Sequence, residues 1–217
     1  MDAISTLGSL MGLGLVSGIR LYSTVLAVGL GIRFGVLHPP PALQHLDVLA
    51  SLPVLIIAGA AYVIEFLADK IPLVDTVWDM IHTFIRPVGA AVLAATALGP
   101  VDPAVKVGAI LLAGSIALSG HSAKAGTRAL INQSPEPFTN IGASLAEDGL
   151  VLGGVWLALS HPIVALVVVL VAVGLVIWLV PRLFRMLRRQ LARVRGFFGG
   201  AEVSQDEKAK AGASAGS

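Results

Sequence analysis

The chain has 217 residues, enough for one domain; 56% are hydrophobic, only 13% are charged, and the mean hydropathy is +0.87. Its apolar residues come in long blocks rather than alternating, which excludes a transmembrane β-barrel and reads as an all-α, polytopic helical membrane protein. The absence of cysteine excludes disulfides, thiolate catalysis and thiolate metal sites, and the net charge of +2 includes no basic face with stacking groups of the kind nucleic acid needs.

In chain order, Ile4–Arg33 is apolar enough to span a bilayer and longer than the ~20 residues a span needs. It has no basic start that would mark a cleavable leader. Arg20 lies near its middle, and Gly18 before it can break the helix, as in transporters with discontinuous helices. His38–Asp47, with three consecutive prolines, is a loop. Leu49–Ala68 is the next span. Pro72 starts a helix and Pro87 is expected to close it, leaving Val88–Leu98 as a re-entrant half-helix or the tail of a longer tilted one. A turn at Gly99–Pro103 leads to spans at Ala104–Ser119, Asn140–Ser160 and Ile163–Val180. About six apolar passes put both termini on one side. The arginine-rich stretch at 182–195 makes that side cytoplasmic and faces anionic lipid headgroups. One integral membrane domain thus covers residues 1–200, and 201–217 read as a disordered polar tail.

Two polar islands interrupt this pattern. The first, Glu65–Pro87, holds Glu65, Asp69, Lys70, Asp75, Asp79, His82 and Arg86. At ~100° per residue, Asp75, Asp79, His82 and Arg86 share a stripe roughly 60° wide on an otherwise apolar helix. The second island, His121–Asn140, presents His121, Lys124, Arg128 and Asn132 at similar spacing, with Glu136 beyond; Glu147 and Asp148 follow inside an apolar run. One stripe is mainly acidic and the other mainly basic, so facing each other they neutralise charge where unpaired ions are costly. Arg20, near mid-membrane, needs one of the acids as partner.

As chemistry, Asp75, Asp79 and His82 could hold a divalent ion, but two acids four residues apart are a weak signal. No nucleotide loop, zincin helix or serine elbow is present, which favours a protein that is not an enzyme. A transporter or channel-like protein for a small ion or charged solute is the leading reading. Its binding set is Arg20, Glu65, Asp69, Asp75, Asp79, His82, Arg86, His121, Lys124, Arg128, Asn132, Glu136, Glu147 and Asp148, its coupling ion a divalent cation or Na⁺/H⁺, and His82 or His121 its pH-sensitive member. Alternatives are a metal-dependent enzyme or translocase acting on a lipid phosphate, and an ion-paired scaffold that forms homo-oligomers through glycine-rich faces such as Gly149-x-x-x-Gly153.

Long strings carry a family resemblance. They are Ser17-Gly18-x-Arg20-Leu21-Tyr22, Glu65-Phe66-x-Ala68-Asp69-Lys70-Ile71-Pro72-x-Val74-Asp75-x-x-Trp78-Asp79-x-x-His82-Thr83-Phe84-Ile85-Arg86-Pro87, Ala123-Lys124-Ala125-Gly126-x-Arg128 onward to Pro137, and Ser144-Leu145-Ala146-Glu147-Asp148. Over about residues 5–190 the chain resembles the bacterial domain-of-unknown-function family 4126. The resemblance implies a small multi-pass inner-membrane protein and supplies no substrate.

Overall fold

The computed structural model describes residues 3–131, 137–182 and 185. Asn132, Glu136, most of the arginine-rich stretch and the 201–217 tail lie outside these residues. Among the described residues there is no strand. The helices are α1 (Ala3–Ile19), α2 (Leu21–Arg33), a 3₁₀ segment (Pro41–Ala50), α3 (Leu52–Ala68), α4 (Pro72–Ala97), α5 (Pro103–Ile131), α6 (Pro137–Ser160) and α7 (Pro162–Arg182). Two compact units divide the chain at Val176 and Ile177. In the second, the Arg182 guanidinium lies 3.8 Å from the centre of the Trp178 ring and donates to the Trp178 carbonyl.

The first unit is inside-out relative to a water-soluble protein. Ile57, Leu73, Phe84, Val88, Leu111, Trp156 and Leu170 are exposed on its surface, while eleven ionisable residues among those described, including Arg20, Glu65, Asp69, Arg86 and Arg128, are buried. An apolar exterior suits lipid tails, and charges inside must then find partners within the bundle. The chain is a membrane protein. Helices α4, α5, α6 and α7 are long and apolar enough to cross a bilayer, and a fifth crossing arises if the 3₁₀ segment and α3, bent by 73°, count as one.

The first apolar segment breaks, as the sequence suggests, but at Arg20. That residue is extended (φ −148°, ψ 98°), and the two helices on either side run in opposite directions along α6. On α1, Gly12 meets Ala158, Val16 meets Gly154 and Arg20 meets Glu147. On α2, Ser23 meets Asp148, and Ala27, Leu30 and Phe34 share a cleft with Leu152 and Trp156. The pair is a helical hairpin with Arg20 at its tip. Helices of 17 and 13 residues rise about 25 and 20 Å, too short to cross a hydrocarbon core about 30 Å thick. Gly8 lies against Pro162 and Gly12 against Ala165, so α1 begins at the end of the first unit where α7 begins.

Pro87 does not close a helix. It sits inside α4, so Val88–Leu98 continues the same helix instead of re-entering on its own. A mid-helix proline forfeits one backbone hydrogen bond, which a neighbouring helix can make tolerable in a membrane bundle. Here Gly114 of α5 lets that helix lie close to the Pro87 carbonyl. A similar approach seats the hairpin, because a side chain at Gly18 would collide with the Ala117 backbone of α5.

The hairpin makes a direct topological prediction. Single cysteines at Ala3 and Phe34, both exposed and both flanking the hairpin in a chain without native cysteine, will be labelled by an impermeant maleimide from the same side of the membrane. Labelling from opposite sides would restore α1–α2 as a full crossing. Packing predicts a second outcome: Gly18→Ala lowers thermal stability in detergent by about 1–3 kcal/mol, whereas Gly149→Ala, whose surroundings are open, leaves it unchanged.

Candidate functional site

The charged residues gather around the hairpin tip. Glu65 and Asp69 come from the end of α3 and the turn after it, Asp75, Asp79, His82 and Arg86 from the first half of α4, His121, Lys124 and Arg128 from the last third of α5, and Glu147 and Asp148 from α6. Counting along the helices, Glu65 and Glu147 each lie thirteen residues, about 20 Å, from the bundle end at Leu52 and Ser160. The two islands meet as a buried core.

Arg20 is fully buried and touches three carboxylates. Its Nε donates to Glu147 Oε2 at 3.2 Å, its Nη1 to Asp148 Oδ1 at 2.7 Å, and its Nη2 pairs closely with Asp69 Oδ2. Each carboxylate is also held from elsewhere. Lys124 Nζ lies 3.4 Å from Asp69 Oδ1, Arg128 Nε donates to Glu147 Oε1 at 2.9 Å, and the Tyr62 hydroxyl donates to Asp148 Oδ2 at 2.9 Å. Arg128 is further braced by Ser144 and by Asn140.

A second centre surrounds Arg86. Its Nη2 donates to Glu65 Oε1 at 2.8 Å, and its Nη1 lies 3.1 Å from Asp79 Oδ1 and 2.6 Å from His121 Nδ1. A guanidinium can only donate, so His121 Nδ1 is an acceptor and the ring hydrogen sits on Nε2. That hydrogen goes to Thr83 Oγ1 at 2.9 Å, and the Thr83 hydroxyl donates in turn to the Asp79 carbonyl at 3.0 Å. His121 is therefore a neutral spacer between α4 and α5, and protonating Nδ1 would break its contact with Arg86. His82 is arranged differently. Its Nδ1 carries the hydrogen donated to the Trp78 carbonyl at 2.9 Å, and its Nε2 faces the Tyr22 hydroxyl of the hairpin at 3.3 Å.

Among the described residues the two centres contain four cations, Arg20, Arg86, Lys124 and Arg128, and six carboxyl groups, Glu65, Asp69, Asp75, Asp79, Glu147 and Asp148. Carboxyl groups are in excess by two. Glu65 Oε2 is buried without a hydrogen-bond donor among the described residues. A 340 Å³ cleft between α4 and α5 is lined by Asp75, Thr76, Asp79, Thr83, His121 and Arg128. Asp75, Asp79 and His82 do share one face of α4, yet no group of three or more His, Asp or Glu among the described residues is placed to hold a metal ion.

The acidic and basic stripes do meet, but α3 and α6 supply most of the close partners. Arg86 pairs with Glu65 as well as Asp79, and Arg128 pairs with Glu147 and Asp69. Tyr22, Tyr62, Thr83, Asn140 and Ser144 join the site without having been singled out as site residues. A helical-wheel signal was available for three of them: Tyr62 lies seven residues before Asp69, and Asn140 and Ser144 lie seven and three before Glu147.

The balance of these pairs is testable. Glu65→Gln and Arg86→Gln will each destabilise the detergent-solubilised protein by about 3–5 kcal/mol, because each strands a buried charge, and the double variant will recover a large part of the loss. Additive losses in chemical denaturation would show that the two residues do not form a coupled pair.

The model of the domain of unknown function DUF4126 matches residues 7–182, and the chain belongs to that family. Searches of curated proteins and of solved structures found no match.

Proposed function

We propose that this DUF4126 member transports a small cation across the bacterial inner membrane, with Arg20, Glu65, Asp69, Asp79, Lys124, Arg128, Glu147 and Asp148 forming the binding region. One observation carries the reading: a buried charge network, with carboxyl groups in excess, converges on the tip of a helical hairpin deep in an apolar bundle. Buried charge is expensive in a bilayer, and its usual return is a pathway for ions or protons. Broken helices that end at mid-membrane are a recurrent way to build such a site. The excess of two carboxyl groups favours a cationic cargo, or protons, over an anionic one.

The start of α1 and the Gly99–Pro103 turn share one end of the first unit, and the cleft between α4 and α5 lies toward the other. His82 is the better candidate for a pH-sensitive member than His121, because its Nε2 can accept a proton while Tyr22 turns its hydroxyl to accept from it.

The reading is tested by flux in proteoliposomes loaded with cation- and pH-sensitive dyes. The native chain will dissipate an imposed gradient of a small cation, and Asp79→Asn combined with Glu147→Gln will slow it by about tenfold or more. Flux that survives both substitutions would sink transport through this site. A specific observation also favours an ion-paired scaffold, since all four buried cations have carboxylate partners. On that view Glu65→Arg with Arg86→Glu regains the native melting temperature and the protein carries no flux.

A further inference from the structure

We infer that Asp69, Glu147, Asp148 and Tyr62 form a ready-made site for a monovalent, guanidinium-type cation, and that Arg20 occupies it in this state as a tethered competitor. This builds on the transport reading above by naming the class of cation that the site takes.

The recognition chemistry lies in how Arg20 is held. Its three nitrogen positions address three different carboxylates, supplied by the turn after α3 and by α6, while the Tyr62 ring centre lies 6.0 Å from Cζ. Such a planar, forked set of acceptors beside an aromatic ring suits a guanidinium. No backbone bond joins Arg20 to those elements. It reaches them only through its side chain, from the tip of a separate hairpin.

The acceptors do not depend on Arg20 for their placement. Lys124 holds Asp69, Arg128 holds Glu147, and the Tyr62 hydroxyl holds Asp148, all from positions that the hairpin does not supply. Preorganised acceptors of this kind lower the cost of binding a ligand. Charge sets the valence. Asp69, Glu147 and Asp148 supply three negative charges, and Arg20, Lys124 and Arg128 three positive ones. Taking Arg20 away removes one positive charge from beside these three carboxylates, so a single monovalent cation replaces what is lost.

The hairpin is suited to yield. Toward α5 and α6 it packs through Gly14 and Gly18 on Ala113 and Ala117, and through Gly12 on Ala158 and Val16 on Gly154, so each contact has a small residue on at least one side. Its further polar ties near the tip are Ser23 to Asp148 and Tyr22 to His82, at 3.3 Å each. A cation that takes the three carboxylates therefore displaces the tip of the hairpin.

Two measurements test this. In the first, purified Arg20→Ala is melted at constant ionic strength with millimolar methylguanidinium, sodium, potassium or tetramethylammonium chloride. The melting temperature will rise by several degrees with methylguanidinium and much less with the others, and the native protein will not respond. A folded Arg20→Ala with no methylguanidinium-specific rise overturns the site.

The second measurement keeps Arg20 and serves also if the alanine variant does not fold. Thr24→Cys places a single cysteine at a buried position of the hairpin, in a chain without native cysteine. Methylguanidinium will speed its reaction with a small permeant maleimide several-fold, and tetramethylammonium will not. An unchanged rate overturns the competitor role of Arg20. Neither readout needs flux. Flux without a methylguanidinium effect would leave transport standing and remove this site, and the converse result would leave the site and remove transport.

Discussion

The contact of one arginine with three carboxylates, deep inside an apolar bundle, is the constraint on which the rest of the structure depends. A guanidinium far from water is tolerable only if its charge is met at close range and its donors are filled. Arg20 meets both conditions through Asp69, Glu147 and Asp148. Those acids in turn need more positive charge than Arg20 supplies, which brings Lys124 and Arg128 inward from α5. The requirement spreads from helix to helix until α3, α4, α5 and α6 each contribute ionised side chains to a single buried core.

Backbone geometry follows from the same demand. Arg20 sits at the level of the acids because α1 stops one residue before it and α2 starts one residue after it. A continuous helix would carry the chain past that depth. The hairpin can reach it only if α5 lets α1 approach closely, and Gly18 against Ala117 permits this. Small residues thus do for the hairpin what they do generally for helices in lipid, where no hydrophobic force drives association. Gly114 serves α4 similarly, beside the Pro87 that interrupts its hydrogen bonding.

Dense pairing and incomplete pairing coexist in this core. Among the described residues Glu65 Oε2 is buried without a donor, and a cleft lined by Asp75 and Asp79 lies between α4 and α5. The histidines add a contrast: His121 is fixed as a neutral bridge by the donor on its Nδ1, whereas His82 keeps a ring nitrogen facing a hydroxyl that can either donate or accept.

The sequence by itself determined the membrane class, the positions of most helices and the identity of the charged residues that gather, because long apolar blocks and isolated charges in them leave few alternatives. Its reading of Pro87 as a stop came from local propensity, and neighbouring packing overrode that propensity. Only the tertiary structure decided that the first apolar segment doubles back at Arg20, since length and hydropathy are the same for a kinked span and for a hairpin. It also decided the pairing. Stripes on α4 and α5 are legible from helical spacing, but the choice of Glu65 for Arg86 and of Glu147 for Arg128 comes from α3 and α6 closing over them, and contacts between helices far apart in sequence leave no period to read.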